Sequence, residues 1–391
     1  MNNFNDCITI PAALNLCLDD VGWHDGRDLR TIGQASRSGL PRDHHPLDYR
    51  MLAELGKAID MKIVCPLCLG DWDKWNLLRG EVGITHKPYT WDRASEIDLE
   101  YADKCFEELE SAEYIEYAIH GLLHGRYDEN GKLIWEREYF IPNPEGRNKV
   151  VIFDPDDFNH RLDLFFELYN RWGFSQKIRT FVSPCGTGTK TSSEEIMEQM
   201  STELRKRNVS YWANASFPFK GNFKTYNNIA CMMKIGHMDG KEIPWEAYDI
   251  DPKYFDTFGS SRNIIGMHWT NFLRFNPENN LERLDAWIDF FRRQSEVFGA
   301  MLAKDIGFSA NQQYYRLYSD VSFEDDKCVI DVSGAIAEKN VKGNDVFFVS
   351  FKNSVEPISC EGGTIELYET HNDFKTYKIA HTDNKIVLKL K

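Results

Sequence analysis

The stretch Ala12-Ala13-Leu14-Asn15-Leu16-Cys17-Leu18-Asp19-Asp20-Val21-Gly22 decides how the chain is read. Its first seven residues form a short apolar run of the kind that fills a buried strand in a parallel sheet. Two adjacent carboxylates stand where that run stops, and a glycine turn follows at once. At the carboxyl end of a strand in a β/α unit this is where active sites gather. Taken alone, Asp and Gly after a strand are also ordinary turn residues.

Outward from this stretch the same theme repeats. Apolar runs at 62–69, 114–119, 178–182, 209–213 and 263–267 are each of strand length, and helical patterns lie between them. Residues 156–172 carry Leu162, Phe165, Phe166 and Tyr169 at helical spacing and stop at Gly173. A second helix is expected from Ser192, with Glu195 as its capping-box partner, through Ile196, Met200 and Leu204, and the longest over 281–302. Alternation of this kind predicts β/α units around a mainly parallel sheet or barrel over residues 1–308. From 309 to 391 the character changes to β-rich runs at 327–332, 346–351, 364–368, 375–379 and 385–390. Turn clusters such as Glu361-Gly362-Gly363 and Asp383-Asn384 divide them, which predicts a small antiparallel β domain with no helix-length segment.

Lysine and arginine total 46 against 61 aspartates and glutamates, a net charge of -15. So acidic a chain repels nucleic-acid phosphates and anionic lipid surfaces, so neither is an expected partner. The amino terminus carries no leader-like segment and no run is long enough to span a bilayer, so the expectation is a cytoplasmic protein. Nine cysteines, an odd number spread from Cys7 to Cys360, read as reduced thiols. The pair in Cys65-Pro66-Leu67-Cys68 falls in a strand-like run, where residues three apart point to opposite faces and cannot easily share a metal.

A second chemical signature is Ala118-Ile119-His120-Gly121-Leu122-Leu123-His124-Gly125, again directly after a predicted strand. If a helical turn follows, histidines four apart share a face and both imidazoles reach one ion. One carboxylate with two imidazoles makes a set of borderline ligands suited to zinc or another divalent transition ion. A third histidine closes Ile264-Ile265-Gly266-Met267-His268, ahead of Trp269. Four long inserts, 21–46, 70–92, 125–154 and 217–261, hold Trp23, Trp72, Trp75, Trp91, Trp135 and Trp245. Aromatic rings on loops suit the apolar faces of sugars, although for any single tryptophan the simpler reading is that it pins its loop to the barrel.

The order Asp-Asp, His-x-x-x-His, Pro-x-Gly and a late His resembles the polysaccharide deacetylases of the NodB-homology type over roughly the first three hundred residues. That resemblance implies a deformed (β/α) barrel and a metal-dependent carbohydrate esterase. It implies Asp19 as catalytic base, Asp20, His120 and His124 as metal ligands, and His268 as general acid. Pro184, Cys185 and Gly186 correspond to the Pro-x-Gly segment, with the Cys185 N–H on the oxyanion and Trp269 beside the substrate. Three positions depart from the family. Gly121 stands where a Ser or Thr braces the loop, Val182 where an arginine steadies the base, and Gly266 where a leucine lines the acyl pocket. Arg179 is nearby in sequence but would need a different path to the base. The tryptophan-bearing fourth motif has no match, Tyr211-Trp212 lying in its stretch.

The first functional expectation is therefore removal of an N-acetyl or other acyl group from a saccharide. The rivals are a catalytically silent carbohydrate-binding barrel, prompted by Val182, and an amidohydrolase of a small acylated metabolite, prompted by the space at Gly266. The terminal β region could bind glycan, mediate a homo-oligomer or cap the barrel.

Overall fold

In the computed structural model, residues 6–22, 33–35, 39–142, 151–185, 194–215, 223–235, 237–238, 241–242, 247–252, 263–339 and 345–391 are described. The quoted run is strand β1 (Ala12–Asp19). Residues 12 to 18 are all at most 1% exposed, so the strand is covered on both faces and needs no polar alternation. Leu14, Leu16 and Leu18 face one apolar core and Cys17 a second.

The strands that follow are β2 (Ile63–Cys68), β3 (Ile115–Gly121), β4 (Thr180–Phe181), β5 (Tyr211–Trp212), β6 (Phe223–Tyr226), β7 (Ile229–Met232), β8 (Lys234–Ile235), β9 (Ile264–His268) and β10 (Ala300–Leu302). Their order across the sheet is β6-β7-β5-β4-β3-β2-β1-β9-β8, with β10 also on β1. Every pairing is parallel except the hairpin of β6 with β7. This is a curled, half-barrel sheet. A single residue, Met233, separates β7 near one side of the sheet from β8 at the other, so the curl brings the two sides together.

Helices cover the sheet. Helix α1 (Pro46–Ala58) starts on His45, whose Nδ1 accepts from the Leu47 N–H while Asp48 accepts from the His45 N–H. Then come α2 (Leu99–Glu110), α3 (Pro155–Trp172), α4 (Glu194–Lys206) and α5 (Leu284–Ser295). In α3, Asp154 caps the first turn, Leu162, Phe165 and Tyr169 are buried, and Gly173 ends the helix at φ 84°. The expected cap of α4 at Ser192 lies outside the described residues. The single helix expected over 281–302 is replaced by three elements: a 3-10 turn (Pro277–Arg283), α5, and β10. Gly299 at φ 90° turns the chain, and Ala300 to Leu302 then gain a ladder on β1 that a continued helix would forgo.

The terminal region holds two four-stranded antiparallel sheets. One contains Asp320–Glu324, Lys327–Asp331, Lys385–Leu390 and Pro357–Glu361. The other contains Val346–Lys352, Phe374–His381, Gly363–Thr370 and the amino-terminal strand Ile8–Thr9. The antiparallel expectation agrees with this, but the expectation of no helix does not. Helix α6 (Ile306–Tyr318) spans position 308, and α7 (Ser333–Lys339) follows. Asp305 caps α6 by accepting from the Phe308 N–H at 2.7 Å. Ile306, Ala310, Tyr314 and Tyr315 of α6 join Cys17, Val64, Ala118 and Val182 of the parallel sheet and Cys328, Ile330, Phe347 and Ile379 of the terminal sheets in one core.

No helix of the described residues is long and apolar enough to cross a membrane. Cys65 and Cys68 are both buried in β2. The loop tryptophans pin rather than present: Trp72 and Trp91 are buried and Trp75 and Trp135 pack partly against the core. Trp23 and Trp245 lie outside the described residues.

Candidate metal centre

The parallel strands deliver their chemistry at their carboxyl ends. Asp19 ends β1, His120 lies next to last in β3, His268 ends β9, and Pro184 and Cys185 follow β4. In an extended strand Asp19 and Asp20 would point to opposite faces. Asp20 instead adopts φ 62°, which turns the chain and leaves both carboxylates near the same histidines. Asp19 and His268 are register partners on neighbouring strands.

The ligand atoms of Asp20, His120 and His124 all lie within 4.8 Å of one another, and all three residues are buried. His120 Nε2 is 3.1 Å and His124 Nε2 3.4 Å from the same oxygen, Asp20 Oδ1. His120 Nδ1 is 2.8 Å from the Val182 carbonyl, which only accepts, so Nδ1 carries the proton. In a neutral imidazole Nε2 and Oδ1 are then two acceptors face to face, stable only with positive charge between them. A proton that makes imidazolium satisfies this, and so does a cation. The donor set, one carboxylate and two imidazoles, fits a divalent transition ion.

The route to this convergence differs from the expected helical turn. Residues after Gly121 bend rather than coil, and His124 at φ 57° swings its ring to a centroid distance of 5.1 Å from His120. A side chain missed in the sequence braces the bend. Glu138, fully buried, accepts from the Leu122 N–H at 2.9 Å and the Leu123 N–H at 3.2 Å. A Cβ on Gly121 would sit 2.5 Å from Glu138 Oε2, so glycine admits the carboxylate. Arg161 of α3 stands 4.0 Å from Glu138 and donates to the Gly83 carbonyl at 2.9 Å, tying two inserts to the helix.

Asp19 is paired with Lys234, the first residue of β8, a partner the sequence gave no reason to name. Burial alone would raise the Asp19 carboxyl; the Lys234 ammonium, His120 and His268 outweigh it and hold the group below the usual carboxylate range. For Asp20 burial is likewise overcome, chiefly by His124 and the contact with His120. Arg179 plays no part here. It lies 3.4 Å from Glu116, near the amino end of β3, and over the Tyr211 ring.

His268 Nε2 is 3.6 Å from Asp20 Oδ2, and its side chain is 24% exposed, open to the mouth. Its backbone N–H donates to Asn271 Oδ1 at 2.9 Å, which fixes the strand end. Burial lowers its pKa, against the pull of Asp20 and Asp19. On the other side, Asn214 holds the Ser183 peptide at both ends, accepting from its N–H at 2.9 Å and donating to its carbonyl at 2.6 Å. Beyond Pro184, Cys185 is exposed at φ 54°, its thiol 4.0 Å from a Glu136 oxygen and close enough to feel Asp20 and Asp19. Gly186 lies outside the described residues.

Two expectations are corrected. Trp269 is fully buried, its ring centroid 3.9 Å from that of His44 and 5.0 Å from that of Tyr49, so it supports the wall behind His268 and its side chain does not face substrate. The space at Gly266 is not an opened acyl pocket either, because the stem of Lys234 runs through it.

No family model matches the chain, and no curated protein matches it. Among solved structures, the chain is similar to the 4-alpha-glucanotransferase from Thermococcus litoralis at 9% identity and a TM-score of 0.36. The similarity covers 76% of this chain and 39% of that protein's length.

Proposed function

We propose that this chain is a divergent polysaccharide deacetylase of the NodB-homology type, a metal-dependent hydrolase removing an N-acetyl or other acyl group from a saccharide. The observation that carries the reading is the convergence of Asp20, His120 and His124 on one point, with Asp19 and His268 on adjoining strands beside it. The three ligands would hold a divalent ion, zinc by the chemistry of the set. When bound, such an ion polarises an amide carbonyl and makes water a better nucleophile.

The chain's own residues supply the proton transfers. Asp19, kept ionised by Lys234, takes the proton of the attacking water at a carboxylate oxygen. His268, partly exposed at the mouth, gives a proton to the departing amine nitrogen; its lowered pKa makes it the stronger acid while it holds one. The Asn214 clamp on Ser183 fixes the segment that presents the Cys185 N–H to the carbonyl oxygen. The products are a carboxylate and a free amino sugar. The rival silent barrel was prompted by a base without a cationic partner, and Lys234 supplies one.

Acetate release from N-acetylated saccharides with zinc present tests the proposal. Release is expected, is lost on chelation and returns with zinc, and Asp19→Asn lowers it by about 10²-fold or more. Unchanged release by Asp19→Asn removes Asp19 as base.

A further inference from the structure

We propose that Gly266 is a notch that lets Lys234 reach Asp19, and that through this notch Lys234 is the positioning residue of the catalytic carboxylate. The catalytic half of this inference rests on the deacetylase reading; the notch itself does not.

Lys234 pairs with Ile264 across the β8–β9 ladder, and Gly266 lies two residues further along β9. The lysine stem travels along β9 toward its carboxyl end. A Cβ built on Gly266 would fall on the Cγ and Cδ methylenes of Lys234 and lie 2.9 Å from Cε. Even alanine at 266 therefore occupies the stem's path. Such a displacement is expensive, because the lysine side chain is 12% exposed and its ammonium has been taken largely out of water. Its compensation is Asp19 Oδ2, itself on a side chain only 15% exposed. A buried cation and a buried anion that neutralise each other lock both geometries.

What this does for Asp19 follows from its two oxygens. Oδ2 is held by Lys234, and Oδ1 is 3.9 Å from the Cys17 thiol, a weak donor. The carboxylate cannot rotate without breaking the ion pair, so its orientation beside Asp20 and His268 is fixed. The two departures at Val182 and Gly266 thus belong together: the cation that position 182 does not supply arrives from β8, and the missing side chain at 266 is what lets it through.

The test compares the wild type, Gly266→Ala, Lys234→Ala and the double variant, with Lys234→Gln as a fifth protein that keeps a donor on a stem one carbon shorter and drops the charge. Acetate release and thermal unfolding are both measured. Lys234→Gln and Lys234→Ala are expected to lower kcat by about 10–100-fold with KM within about twofold, as loss of a group acting only on the reacting step does. Gly266→Ala lowers kcat and the unfolding midpoint in the wild-type background and changes neither further in the Lys234→Ala background. Equal harm from Gly266→Ala in both backgrounds overturns the notch. Wild-type kcat in Lys234→Gln overturns the positioning role. If the wild type releases no acetate from any acylated saccharide while the midpoints still show the coupling, the deacetylase reading falls and the notch stands.

Discussion

At the scale of single residues, the site is built from conformations that most side chains avoid. Asp20, His124 and Cys185 all have φ between 54° and 62°. A left-handed non-glycine residue costs about 1–2 kcal/mol, so three at the strand ends around one side-chain cluster mark a place where geometry has been kept at the expense of stability. Replacing His124 by Gly is expected to relieve backbone strain while removing one of the three candidate ligands: if the cluster binds zinc as proposed, its affinity, read by titration calorimetry, falls at least about 100-fold with little loss in unfolding midpoint. Gly121→Ala should do the reverse of relief. Its methyl meets Glu138 at 2.5 Å, so the brace on Leu122 and Leu123 is displaced, and stability is expected to drop by about 2–3 kcal/mol in urea unfolding. A third prediction concerns Glu116, whose carboxyl is pushed up to about 7, burial outweighing Arg179. A folded pKa above the unfolded one favours the protonated protein. The contribution is therefore full below about pH 4.5 and is lost as pH rises through 7, up to about 3 kcal/mol. Glu116→Gln should flatten that part of the stability curve, measured as the difference between the two proteins at each pH. Asp19, Asp20, His120, His124 and His268 were legible along the chain because each ends or follows an apolar run. Lys234 and Glu138 were not, because one opens a two-residue strand and the other sits in a long insert, and neither stretch has a periodicity that says where it folds back.

At the scale of elements, strands read more faithfully than helices. Each run of the first region became a strand within two residues of its expected bounds, since burial on both faces needs only an unbroken apolar string. Helix α3 read well because its signals agree: Asp154 and Pro155 at the start, Gly173 at the end. Asp154→Ala is expected to cost about 1 kcal/mol, and Gly173→Ala a similar amount at φ 84°, both measurable by urea unfolding at constant m. The 281–302 segment failed for the converse reason. Its apolar residues serve two periods, helical in α5 and extended in β10, and only the ladder offered by β1 chooses between them. Strands Asp320–Glu324 and Pro357–Glu361 carry mostly exposed or half-exposed residues and so gave no apolar signal.

At the scale of the whole molecule, the two regions share apolar surface. Ile8–Thr9 completes a terminal sheet, and α6 lies between that sheet and the inner residues of the curled one. A chain ending at Lys304 would bare Cys17, Val64, Ala118, Val182 and Phe223 together. It is expected to aggregate and to give no cooperative unfolding transition by calorimetry, whereas the full chain unfolds cooperatively.

The one-residue step at Met233 has a mechanical consequence. The curled sheet is a hoop, and the stretch from Met232 to Lys234 is its clasp. The clasp also carries the charge that steadies Asp19. If the hoop springs open there, the ammonium withdraws before any of the central strands is disturbed. On the deacetylase reading, acyl release would then stop while the fold persists.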